Sequence, residues 1–247
     1  MTEFETLLVD ERPDRVVVTL NRPRARNALD LAMVRELHEV CEALERRPRL
    51  LLLTGSEGVF AAGADIGELL QRGREEALQG INSRLFDRIA RLPLPTLAAV
   101  DGYALGGGAE LAYACDLRLA TPEAVFGNPE PGLGIIAAAG ACWRLAELVG
   151  RSVAKQVLLG GRWLTAAEAE RFGLVGEVVA AEELSARAHA LLDRMAKSSP
   201  GALRLTKLVL DAPGAHPVAD DLAQAVLLES QDKHERMTAF LERRRSS

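Results

Sequence analysis

Apolar positions along this chain alternate between short continuous runs and a helical spacing. Val16 to Leu20 is a β-branched run closed by the turn residues Asn21, Arg22 and Pro23, and it reads as a strand. From Asp30 onward, Leu31, Val34, Leu37, Cys41 and Leu44 fall on one helical face, and Pro48 stops the pattern. Leu50 to Leu53 and Thr96 to Val100 are wholly apolar runs of the kind that form buried strands. Between them the spacing predicts a helix over Leu78 to Leu92, ended by Pro93 and Pro95. Ala104 to Cys115 reads as a buried helix opened by Gly106, Gly107 and Gly108, and Leu117 to Ala120 as a further strand. Short strands alternating with helices imply an α/β core.

After Ser198 the strands cease. Ala202 to Leu210 and Pro217 to Arg243 both carry helical patterns, with Pro213, Gly214 and Pro217 marking a turn between them. The expected organisation is an α/β core over residues 1–195 and a helical region over 196–247. No sequence period of solenoid length is evident.

Charge and cysteine usage narrow the class of protein. The chain of 247 residues has 30 Lys and Arg against 35 Asp and Glu, a net charge of −5. That balance disfavours a nucleic-acid binder. Cys41, Cys115 and Cys142 form no C-x-x-C pair, and with four scattered histidines they suggest no metal set. An acidic start and the lack of a long apolar span imply neither export nor membrane insertion, so a reduced cytoplasmic setting is expected.

The distribution of charge says more than its total. Between Gly102 and Cys115 the only charged side chain is Glu110, and between Ala124 and Trp143 the only one is Glu130. At the chain-wide 26% these segments together would carry about nine charges. A buried carboxylate is costly unless hydrogen-bonded, paired or protonated, and burial raises its pKa toward the range useful for proton transfer. Two such groups can divide acid and base roles. A structural alternative is that each accepts backbone N–H bonds or pairs with an arginine such as Arg118 or Arg144. The Gly106 to Gly108 triplet, at a helix start, suits close approach of an anion or a developing oxyanion to the main chain. Neither nucleotide-binding glycine fingerprint is present. Phe60 to Ile66 forms a second small-residue turn.

Together these segments resemble the crotonase family, most closely its enoyl-CoA hydratases. The resemblance is carried by Asn21-Arg22-Pro23 with Asn27-Ala28-Leu29, by Phe60 to Ile66, by Pro95 to Asp116, by Gly127 to Gly134 and by Leu164 to Val175. It implies an α/β spiral of ββα turns, a C-terminal helical trimerisation region, and a homotrimer or homohexamer. It also implies an acyl-CoA thioester substrate and reversible addition of water to a 2-enoyl-CoA. No cofactor is implied, because coenzyme A is part of the substrate. Carried over by position, Glu110 and Glu130 are the catalytic pair, and Ala64 and Gly107 supply the oxyanion-hole N–H groups. Ala25, Arg26, Ala62, Asp65, Ile66, Phe240 and Arg243 fall along the coenzyme A and substrate positions. Gly67 stands where many members have lysine, Pro131 follows Glu130 in place of an aliphatic residue, and Ala137 to Ala141 replaces a Pro- and Gly-rich run. These departures bear on substrate range. The competing readings are isomerisation of a 3-enoyl-CoA, or another acyl-CoA reaction of the family, and, in a different class, a non-catalytic CoA- or RNA-binding scaffold.

Overall fold

The computed structural model describes residues 4–212, 214 and 217–245, with side chains as far as residue 242. Two compact units divide it, residues 1–192 and 193–247.

Among the described residues of the first unit, ten strands form two sheets. The larger contains β1 (Leu7–Glu11), β2 (Arg15–Leu20), β3 (Leu50–Gly55), β5 (Thr96–Val100), β7 (Leu117–Ala120) and β10 (Glu177–Val178), in the order β1-β2-β3-β5-β7-β10. All pairings in it are parallel except the antiparallel edge pair β1–β2. The smaller sheet has the order β4-β6-β8-β9, with β4 (Val59–Ala61), β6 (Tyr103–Leu105), β8 (Val125–Gly127) and β9 (Leu164–Thr165). Each of three successive segments sends one strand to the large sheet and the next to the small sheet, then turns into helix: β3–β4, β5–β6 and β7–β8. This is the ββα spiral. Thr96 to Val100 is buried throughout, which is why its sequence is apolar without alternation.

The helices of this unit are α1 (Leu31–Arg46), α2 (Ile66–Gln71), α3 (Arg74–Gln79), α4 (Ile81–Ala90), α5 (Gly107–Ala114), α6 (Ala141–Leu158), α7 (Ala166–Arg171) and, running across the division, α8 (Ala181–Ala196). Asp30 caps α1 by accepting the Met33 N–H, and Met33, Val34, Leu37, Val40, Cys41 and Leu44 bury its inner face.

Three sequence expectations are corrected. Ala104 to Cys115 is not one helix, because Gly106 (φ 50°, ψ −125°) breaks it into β6 and α5. The helix expected over Leu78 to Leu92 starts at Ile81; Leu78 belongs to α3, and Gly80 separates the two with φ 62°. Pro217 to Arg243 is interrupted after Leu228, and a new helix starts at Gln231.

The second unit is helical: α9 (Pro200–Leu210), α10 (Val218–Leu228) and α11 (Gln231–Arg245). Ser199 caps α9, and the Ser230 hydroxyl accepts the Lys233 N–H at the start of α11. Pro213 of the expected turn lies outside the described residues. α10 buries none of its side chains, and Val218, Leu222 and Val226, spaced four apart, leave an apolar stripe in the open.

Candidate active site

The three short parallel strands β4, β6 and β8 lie side by side, and each runs directly into one piece of a single cleft of about 610 Å³. After β4 comes the turn Ala62 to Asp65, after β6 the start of α5, and after β8 the segment Asn128 to Leu133.

In the first piece the backbone is fixed by Leu29. Its N–H donates to the Gly63 carbonyl at 2.8 Å and its carbonyl accepts the Asp65 N–H at 3.0 Å. Those bonds take up the groups flanking Ala64, so the Ala64 N–H is left facing away from Leu29, with no acceptor among the described residues. The second piece is the α5 terminus, where Gly107 is the first helical residue and its N–H has no carbonyl one turn earlier to bind. A Cβ at Gly107 would lie 3.4 Å from the Ala64 nitrogen, so the two free donors border the same space. Close packing explains the third glycine: a Cβ at Gly108 would come within 2.2 Å of the Ala61 carbonyl oxygen.

Glu110 lies one turn into α5 and is 3% exposed. Its Oε1 accepts two backbone N–H groups, from Ala139 at 2.8 Å and Ala141 at 3.0 Å. Burial nevertheless dominates, and it pushes the carboxyl up to about 7 despite those two bonds. Glu130 opens a single 3-10 turn (Glu130–Leu133) and is 8% exposed. Its Oε1 packs over Gly106, 3.1 Å from where a Cβ would stand, and its Oε2 is buried with no hydrogen-bond partner among the described residues. Burial raises its pKa as well. Pro131 sits in the first turn of that 3-10 helix, where its missing N–H costs nothing.

The arginine pairing considered from sequence does not occur. Arg118 donates to backbone carbonyls, including those of Leu174, Ala112 and Cys115. Arg144 reaches Asp87 and stacks over Trp143. The backbone-acceptor alternative does hold for Glu110.

Ala62, Ala64, Ile66, Gly107, Glu110 and Glu130 all line the cleft. Asp65 stands at its edge, capping α2 through the Gly67 and Glu68 N–H groups, and its pKa is lowered by the Glu68 N–H first and by Arg22 after it. Ala25 ends a 3-10 turn, and Arg26 follows with φ 51°; the Arg26 carbonyl accepts the Ala62 N–H, which ties this segment to the cleft turn. Buried Asn27 holds the same region by donating to the Ser56 and Val59 carbonyls. Phe240 stands exposed on α11 in the second unit, and the Arg243 side chain lies outside the described residues. Among the described residues no group of three His, Cys, Asp or Glu side chains could hold a metal ion.

Sequence reasoning missed Asn82, whose buried Oδ1 is unpartnered in the cleft wall, and the amides of Ala139 and Ala141. Nothing in the residue type marks a backbone donor. Ala139 and Ala141 fall in the run that departs from the family pattern, which was its only visible signal.

Two free N–H groups beside two buried carboxyls can stabilise negative charge on a carbonyl oxygen while protons move at neighbouring carbons. Comparison with known proteins gives this arrangement a lineage. The model of the enoyl-CoA hydratase/isomerase family matches residues 14–247, and the chain belongs to that family. It is 38% identical to the protein named probable enoyl-CoA hydratase echA8 of Mycobacterium leprae, covering 98% of this chain and 97% of that one. It is 36% identical to the short-chain-enoyl-CoA hydratase of Clostridium acetobutylicum, with 98% and 97% covered. The crystal structure of an enoyl-CoA hydratase from Bacillus anthracis superposes with a TM-score of 0.92 at 32% identity, covering 97% of each chain. No helix among the described residues is long and apolar enough to cross a membrane.

Proposed function

We propose that this protein is an enoyl-CoA hydratase, adding water reversibly across the 2,3 double bond of a 2-enoyl-CoA to give a 3-hydroxyacyl-CoA. The observation that carries the reading is the convergence of two differently held carboxyls and two unpartnered backbone donors on one cleft. The thioester oxygen accepts from the Ala64 and Gly107 N–H groups, which meet the charge that grows on it as the enolate forms. Glu110, with a pKa near 7, takes a proton from water as its oxygen attacks C3. Glu130, its pKa raised by burial, donates a proton from its Oε2 to C2. Water is consumed, no electrons are exchanged, return of the proton from Glu110 to Glu130 resets the pair for the next turnover, and the reaction calls for no cofactor.

Coenzyme A runs past Ala25, Arg26, Ala62, Asp65 and Ile66, the family resemblance adds Phe240 and Arg243 as contacts from this or a neighbouring copy, and the setting is cytoplasmic. The C-terminal helices join copies of the chain into a trimer or a dimer of trimers. What supports this is the open stripe on α10, where Leu222 is 65% exposed. Light scattering on Leu222→Asp is expected to show smaller particles than the wild type; a wild-type monomer overturns the assembly reading.

The activity is tested with 2-enoyl-CoA thioesters of stepped chain length, following loss of the conjugated absorbance. Loss with at least one of them is expected. Conversion of 3-enoyl-CoA without hydration of any 2-enoyl-CoA would make the protein an isomerase instead.

A further inference from the structure

One wall of the cleft carries charge that hydration does not use. α2 ends at Gln71, and the chain continues extended through Arg72 (φ −78°, ψ 133°) and Gly73 (φ −108°, ψ −160°) until α3 opens at Arg74. Alternate residues of an extended segment point the same way. Arg72 and Arg74 both line the cleft.

Their surroundings leave this positive charge poorly matched. The Arg72 side chain is only 14% exposed, and its Nε is buried without a hydrogen-bond partner among the described residues. Its ion pair with Glu68 is stretched to 3.4 Å. The Glu68 carboxylate is already engaged, accepting the Leu31 N–H at 2.9 and 3.2 Å. Glu76, on the same wall, accepts the Gly73 N–H at 2.8 Å. Arg74 is exposed and adds a second cation with no partner among the described residues. Around them the wall is apolar, with Leu69, Ala77 and Ile81. A guanidinium withdrawn from water into such a place is costly until an anion meets it.

α2 begins two residues after Ala64 and has six residues, so Arg72 lies roughly 9 Å along the helix from its start, at the end remote from the amide that faces the thioester oxygen. We propose that the cleft selects acyl thioesters whose acyl chain ends in a carboxylate, with Arg72 holding the carboxylate through paired N–H donors and Arg74 adding to the field. The inference rests on the reading of this cleft as an acyl-thioester site and names the class of acyl group it takes. Coenzyme A phosphates carry the same anionic chemistry, and the test separates the two sources.

Wild type, Arg72→Met, Arg72→Lys and Arg74→Ala are compared on two 2-enoyl-CoA thioesters of equal carbon count, one ending in a carboxylate and one in a methyl. Calorimetry supplies affinities for their saturated counterparts and for free coenzyme A, and melting temperatures identify any variant that fails to fold. The wild type is expected to prefer the carboxylate in kcat/KM by more than tenfold. Arg72→Met should abolish that preference through KM, Arg72→Lys should restore part of it, and Arg74→Ala should weaken it less. The saturated carboxylate thioester should lose affinity in parallel, with free coenzyme A unaffected. A wild type without the preference overturns the proposal. Equal losses on both thioesters together with weaker free coenzyme A binding overturn it too, and place the phosphates on Arg72. Absence of turnover with either thioester, while an Arg72-dependent preference persists in the saturated pair, would sink the hydratase reading and leave this one standing.

Discussion

The segments carrying the two glutamates differ in almost every respect except the burial of the carboxyl. α5 is buried at all eight of its positions, and its Glu110 is anchored by two amides. The segment from Pro131 to Ile136 is exposed throughout, and Glu130 is the sole buried residue of its 3-10 turn. One carboxyl is therefore positioned by a rigid core helix and the other by a short turn whose outer face is free to vary. Fixed geometry suits orienting a water molecule. A buried oxygen left without a hydrogen-bond partner suits a proton donor.

Substituting the glutamates breaks this comparison most directly. Glu130→Gln removes the donor and is expected to lower kcat by on the order of 10³-fold with little change in KM, measured at saturating thioester. Glu110→Gln keeps an acceptor for the two amides, and its loss should be smaller, about 10²-fold. The wild-type rate should fall on the acid side of about pH 7, where Glu110 takes up its proton, and that limb should be missing in Glu110→Gln. Equal losses in the two variants would erase the proposed division of roles.

Glycine substitutions test the contrast in rigidity. Gly108→Ala drives a Cβ against the Ala61 carbonyl and should cost about 3 kcal/mol in denaturant unfolding. A Cβ at Gly132 meets nothing within 4 Å, so Gly132→Ala should stay within about 0.5 kcal/mol of wild type. Similar costs at both positions would mean that the two segments are equally constrained.

A further effect comes from the proton on Glu110. Its folded pKa, near 7, lies above the ordinary value of 4.5, so the native state holds this proton more tightly than the unfolded chain does. Its contribution to stability is full below pH 4.5 and declines as pH rises through about 7. Glu110→Gln cannot ionise. Its stability relative to wild type should grow across that window by up to about 3 kcal/mol, measured by urea unfolding at each pH. A constant difference would show that the burial of Glu110 does not raise its pKa.

Much of this architecture was legible where a signal extended over enough residues. The α1 face from Leu31 to Leu44 and the buried runs at Leu50 and Thr96 were readable because burial imposes a pattern along the whole element. β4, β6 and β8 have three residues each, too few to show an alternation, and the spiral they complete is invisible as a sequence repeat. Glu110 and Glu130 stood out because charge is missing around them. The break at Gly106 was hidden because three adjacent glycines gave no indication of which one takes the positive φ. Ser230 was a usable helix-start signal inside what read as one continuous helix. Arg72 and Asn82 had no sequence signal, since what marks each is one buried side-chain atom left without a partner in three dimensions.

The placement of the cleft at the ends of β4, β6 and β8 also orders events during folding. Val59 pairs with Tyr103, and Tyr103 with Val125, so the small sheet joins parts of the chain that are distant in sequence. Closing such contacts is slow compared with forming helices. Until those contacts close, Glu110 lacks the amide of Ala64 beside that of Gly107. Recovery of turnover during refolding is therefore expected to coincide with closure of the small sheet.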